Sequence, residues 1–237
     1  MKMKKISPIY SFKGFSDETH TKKGIILRHD VDFSIDKAYE LFKVEKELNV
    51  KSTYFILVTC DYYNPLSRSN KIKLREMNDK GSEIGLHFDP TIYGKVNNKS
   101  LCNYAKNEAE ILEEIIGNKV TSISLHNPSI HNQYPSFSDF INAYDSPYFD
   151  PEFYFSDSCM DFRGKNIYDF IHKARENLVQ ILFHPIHFTK EGKGYLEIFS
   201  EILEDHICKL DNTLIKYNRG YRNASKLDSI YNYLLRG

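Results

Sequence analysis

The chain has no tryptophan, no CxxC pair among its four cysteines, and no net charge, since 32 Lys and Arg balance 32 Asp and Glu. Each shortage removes a class of function. Cys60, Cys102, Cys159 and Cys208 are far apart, so they read as reduced thiols, and neither a disulfide framework nor a zinc knuckle is expected. Balanced charge supplies no basic face for nucleic acid and no acidic excess for a cationic partner. No apolar run reaches the roughly 18 residues of a membrane span. Met1 to Ser16 carries lysines without a following apolar stretch, so it does not read as a secretory signal. The expected location is the cytoplasm. What is present fits a folded protein: 41% hydrophobic and 27% charged residues. The length of 237 residues suits one α/β domain spanning the chain. The 17 Tyr and 16 Phe suit a sugar-binding surface, but they accompany abundant Lys, Asn and Ile, which points first to compositional bias.

Short apolar runs alternate with amphipathic stretches, the pattern of βα units and a parallel sheet. Gly24 to Arg28 reads as a first strand, ending at His29-Asp30. Ser34 is placed to cap a helix carrying Ala38, Leu41, Phe42 and Leu48, with Glu45 breaking the apolar stripe. Strands are also expected at Ser52–Val58, Glu83–His87, Val120–Leu125, Phe153–Phe155 and Leu178–Phe183. Helices are expected at Lys71–Lys80, Ser100–Ile116, Ile167–Glu176, Tyr195–Lys216 and Leu227–Leu235, with Gly81 and Gly117 closing the first two. The Pro-, Tyr- and Ser-rich segment Asn127–Pro151 reads as a loop covering a site.

Four of these strands end in Asp or His: Asp30, His87, His126 and His184. Carboxyl ends of parallel strands share one rim, where active sites form. Asp30 and Asp32 point the same way if the strand stays extended, and two carboxylates on one face repel unless a cation joins them. For an isolated pair, the competing reading is one capping and one solvated Asp. A histidine at a strand end, such as His87, is a common metal ligand and as often structural; its company decides. Ser122, Ser124 and His126 share a face, which sends His126 to the same rim. His20, His131, His172 and His206 sit in no motif.

His29-Asp30-Val31-Asp32, Ser52-Thr53-Tyr54-Phe55, Glu83-Ile84-Gly85-Leu86-His87 and Leu182-Phe183-His184-Pro185, in that order, resemble the motifs of polysaccharide deacetylases with NodB homology (carbohydrate esterase family 4). The likeness spans about residues 24 to 188 and is nearest to the HDVD-type branch associated with bacterial surface-polysaccharide genes. It implies a distorted, partly open (β/α)7 barrel. The activity implied is removal of an acetyl group from an amino sugar or glycan precursor of O-antigen or capsule, helped by a divalent ion with zinc as first candidate. By position it makes Asp30 the catalytic base, His184 the general acid, and Asp32 and His87 metal ligands. Ser156-Asp157-Ser158 and Arg163 resemble the fourth motif, which makes Asp157 and Arg163 candidates for holding His184 or the sugar. The substrate would be a carbohydrate, free or nucleotide- or lipid-linked.

One position departs from the pattern: where the family carries a second metal histidine, four residues after the first, this chain has Thr91. His126 is the expected replacement, with Asp89 and His187 in reserve. Alternatively His126 orients Asp30, in place of the arginine that many relatives carry on this strand. Thr91 also keeps open a catalytically impaired relative that binds a glycan or partner. A different metal-dependent barrel amidohydrolase ranks below both, because such enzymes open with HxH and this chain has His29-Asp30-Val31-Asp32.

Overall fold

The computed structural model describes residues 7–18, 23–225 and 229–235, which form two compact units, Met1–Phe188 and Thr189–Gly237. The first unit is built on one sheet. Its strands are β1 (Ile9–Tyr10), β2 (Gly24–Val31), β3 (Thr53–Leu57), β4 (Glu83–Phe88), β5 (Ser122–Leu125), β6 (Ile141–Asn142), β7 (Tyr154–Ser156) and β8 (Leu178–Phe183). They run in the order β6-β5-β4-β3-β2-β8-β7, with β1 alongside the start of β2, and all of these pairings are parallel. Helices α1 (Phe12–Ser16), α2 (Ile35–Glu47), α3 (Arg68–Asp79), α4 (Asn98–Ile116), α5 (Pro128–His131) and α6 (Ile167–Lys173) connect them. The expected distorted, partly open (β/α)7 barrel is the observed architecture: seven strands form a curled half-barrel, with the two-residue β1 off that path.

The curl of the sheet can be read from one side chain. Arg28 on β2 bonds to Ser124 Oγ on β5, three strands along. In a flat sheet those strands lie about 14 Å apart, so the sheet must wrap for the bond to form. Alternation along the strands then gives two faces. The outer face, including Val31, Tyr54, Ile56, Leu86 and Ile123, packs with Phe42, Leu74, Ala105 and Leu112 of the helices. Each fully buried Val, Leu, Ile or Phe among them contributes about 1.5–3 kcal/mol. On the inner face Ile26 and Phe55 meet Phe12, Phe15 and Ala143, and polar side chains including Arg28, Asp30, Thr53, Ser122, Ser124 and Gln180 lie among them. Gly85 lies on this inner face. A Cβ there would come within 2.6 Å of the Phe55 ring and 2.7 Å of Ser122 Oγ, so the packing admits only glycine without rearrangement.

Local signals account for the helix ends. Ser34 and Ser67 Oγ accept the N–H of Lys37 and Asn70 (both 3.3 Å), and Gly117 closes α4 in the left-handed region at φ 72°. Leu48, expected on the buried stripe of α2, is 40% exposed, because it caps the helix end. Asn127–Pro151 is more than a covering loop. It contributes α5 and the edge strand β6, and buries Phe137 and Ala143. The alternation there is too short to announce a strand. The second unit holds α7 (Tyr195–Tyr217), α8 (Arg219–Ala224) and α9 (Ile230–Leu235). Glu197 Oε2 accepts the Gly194 N–H at 2.9 Å to start α7. The expected start of the last helix at Leu227 lies outside the described residues, as does His20.

Glu108 on α4 makes the fold sensitive to pH. It is 3% exposed, Tyr93 Oη donates to its Oε1 at 2.6 Å, and Oε2 has no partner among the described residues. Burial pushes its pKa up to about 7, against the pull of Tyr93. A carboxyl raised in the fold contributes stability that is complete below its unfolded value and is lost as pH rises through the folded one. We therefore expect stability to fall by about 3 kcal/mol between pH 4.5 and about 7. Glu108→Gln should flatten that slope in urea unfolding. An unchanged slope would assign the loss to another group.

Candidate metal centre

The inner face of the curled sheet collects the chemistry. Asp30 and Arg28 lie on the inner face of β2, and Asp32 follows the strand in the same phase, while His29 points outwards to Glu45 on α2 (2.8 Å). Glu45 also accepts from Ser52 Oγ (2.6 Å) and Tyr54 Oη (2.7 Å), which explains a carboxylate on the buried stripe of α2. His87 is the fifth residue of β4, and His126 stands one residue beyond β5. Asp32, His87 and His126 each offer a ligand atom, all within 4.8 Å of one another. Asp30 stands beside this trio, its Oδ2 3.8 Å from His87 Nε2.

The donors suit a divalent cation. Asp32 Oδ1 lies 3.1 Å from His87 Nε2, yet this buried oxygen has no hydrogen-bond partner among the described residues. Two donors bound at about 2.1 Å to one ion stand roughly 3.0–3.5 Å apart. One carboxylate with two imidazoles is a donor set for zinc and several related ions. Burial works to raise the Asp32 pKa, but His87 and then His184 draw it below the ordinary carboxylate range, so it is an anion. The other buried atom of this pair without a partner among the described residues is His87 Nδ1.

Asp30 is held differently. Both its oxygens accept from Arg28, Oδ1 from Nε (2.8 Å) and Oδ2 from Nη2 (2.7 Å). Burial alone would raise Asp30; the Arg28 guanidinium beside it, helped by His87, holds it well below the usual range. Arg28 is itself wholly buried and anchored by Gln180 Oε1 (3.0 Å), Tyr144 Oη (3.1 Å) and Ser124 Oγ. The orienting of Asp30 is therefore done by Arg28, two residues earlier on the same strand, and not by His126. Arg28 and Gln180 were missed as site residues; a charged and an amide side chain inside apolar strands were the available signals.

Across the opening, His184 Nε2 lies 3.7 Å from Asp32 Oδ2. Its Nδ1 donates to Asp157 Oδ1 at 2.6 Å, which fixes the tautomer and turns Nε2 towards the opening. Burial lowers the His184 pKa, but Asp157, Asp32 and Asp30 together hold it above the ordinary imidazole value. His187 Nδ1 bonds to the other Asp157 oxygen at 2.8 Å. These three could also gather round an ion, although the short contacts describe one carboxylate shared by two ring N–H groups. His187 thus stands with Asp157 and not with Asp32 and His87. Asp89, the other reserve, bonds to His126 Nδ1 (3.1 Å). Arg163 is exposed on the loop after β7, where its backbone N–H donates to Asp161 Oδ1 (2.7 Å).

No protein-family model matches the chain, and no curated protein matches it. Solved structures do. A polysaccharide deacetylase from Bacillus cereus is 16% identical over 78% of this chain and 88% of that one, with a TM-score of 0.49. The chitin deacetylase of Colletotrichum lindemuthianum is 14% identical over 76% and 81%, with a TM-score of 0.47. A mutant with restored enzymatic activity of a CE4 family pseudoenzyme from Bacillus anthracis is 12% identical over 80% and 65%, with a TM-score of 0.46. This chain thus spans less than two thirds of that pseudoenzyme. At such identities the likeness assigns neither activity nor substrate. Among the described residues no helix is long and apolar enough to cross a membrane.

Proposed function

We propose that the chain is a metal-dependent hydrolase that removes an acetyl group from an amino sugar or glycan precursor. We place it in cytoplasmic surface-polysaccharide biosynthesis, with residues 1–237 acting as one functional domain. The observation that carries the reading is the meeting of Asp32, His87 and His126 beside Asp30, with His184 facing them. A divalent ion on the trio, zinc first among candidates, would stabilise charge developing on the acetyl oxygen and acidify an attacking water. Asp30 accepts the proton that the water gives up. Its pairing with Arg28 keeps it ionised and aimed, at the expense of basicity. His184, protonated and oriented by Asp157, returns a proton to the departing sugar nitrogen. Arg163 is a proposed contact for the sugar, which is free or nucleotide- or lipid-linked, whereas Asp157, buried with both oxygens engaged by His184 and His187, serves to hold His184.

The test is acetate release from N-acetylated amino-sugar oligomers and nucleotide-linked N-acetyl sugars. Stripping divalent ions with a chelator should abolish release, and added zinc should restore it. A second reading, a glycan-binding relative without turnover, is favoured by Thr91. One equivalent of bound metal with no acetate from any substrate would decide for it.

A further inference from the structure

The turn after β4 uses position 91 in a way the motif pattern does not announce. Thr91 stands where the resemblance places a metal histidine. Its backbone N–H (2.9 Å) and its hydroxyl (2.5 Å) both donate to Asp89 Oδ1. The other oxygen, Oδ2, accepts from His126 Nδ1 at 3.1 Å. The His126 backbone N–H donates to Phe88 O at 2.8 Å, so the residue before Asp89 holds the end of β5 in register with the end of β4. With Nδ1–H engaged, Nε2 carries the lone pair of the ring. Asn127 Nδ2, on an exposed residue, lies 3.0 Å from that nitrogen and marks it as the acceptor of the ring.

We propose that Asp89 is a positioning residue for His126: Thr91 fixes the carboxylate, the carboxylate holds Nδ1–H, and Nε2 is presented as the ligand atom beside Asp32 and His87. A carboxylate on the far nitrogen of a ligating imidazole fixes its tautomer and ring angle and makes the ligating nitrogen more basic. The histidine missing from position 91 is thus replaced by one on the neighbouring strand, and the threonine that took its place supports the replacement. This inference rests on the metal-dependent reading above.

The experiment measures zinc affinity by competition with a chromophoric chelator, without reference to turnover. Asp89→Ala should weaken zinc binding about ten- to a hundredfold, and His126→Ala at least as much. Because Asp89 acts through His126, adding Asp89→Ala to His126→Ala should weaken binding no further. Thr91→Ser should bind as the parent does, and Thr91→Val should be weaker. Should Asp89→Ala fail to fold, as judged by circular dichroism, Thr91→Val combined with His126→Ala carries the same comparison. The positioning role is overturned if Asp89→Ala binds like the parent, or if its full loss persists in the His126→Ala background. The metal-dependent reading fails separately, if the parent takes up no zinc or if Asp32→Ala and His87→Ala leave the affinity unchanged.

Discussion

Asp30→Asn is expected to lower acetate release about a hundred- to ten-thousandfold, the range for loss of a general base, while leaving the bound metal in place. The geometry separates the two effects. Asp30 directs both carboxylate oxygens at Arg28, whereas the atoms that converge on one another belong to Asp32, His87 and His126. An asparagine keeps one acceptor oxygen for Arg28 and has no basic site for a proton. Turnover numbers together with elemental metal content check this. Loss of metal along with activity would make Asp30 a ligand and break the proposed division of roles.

Arg28→Met is expected to cost about 3–5 kcal/mol of stability, the usual consequence of leaving one member of a buried ion pair alone. The Asp30 side chain is 5% exposed, so water makes up poorly for the lost donors. Gln180 and Ser124 lose a donor in the same step. Adding Asp30→Asn should recover part of the loss, because the orphaned carboxylate becomes a neutral amide. Urea midpoints of the parent, the two single variants and the double variant test this; an Arg28→Met protein as stable as the parent would refute it. Arg28 also joins β2 to β5, so the unfolding slope of the single variant should report any loosening of the curl.

Much of the fold could be read from the chain because parallel strands buried on both faces are written as continuous apolar runs. Leu178–Phe183 coincides with the observed strand, and Ser34, Gly81 and Gly117 mark helix ends as their chemistry requires. The short elements Ile9–Tyr10, Phe12–Ser16 and Ile141–Asn142 were not legible, since two to five residues carry no measurable period. In the centre, Asp30, Asp32, His87 and His184 could be placed by motif, and His126 by the phase of Ser122 and Ser124. The bonds from Arg28 to Gln180 and Tyr144 could not be read, because they join residues more than a hundred positions apart and exist only once the chain has folded. Asp89 was visible as a residue but not as the holder of His126, which depends on the register between β4 and β5.

The barrel does not close, and the way it stays open has a consequence for the protein in a crowded solution. Its outermost strands are Ile141–Asn142 and Tyr154–Ser156, two and three residues long. An unpaired strand margin is a template on which another chain can add itself. Margins this brief offer too few free amide and carbonyl groups to start such a ladder, while the long strands β2, β4 and β8 lie inside the sheet. The gap between the two ends of the sheet therefore carries little of the self-association hazard that a longer frayed margin would bring.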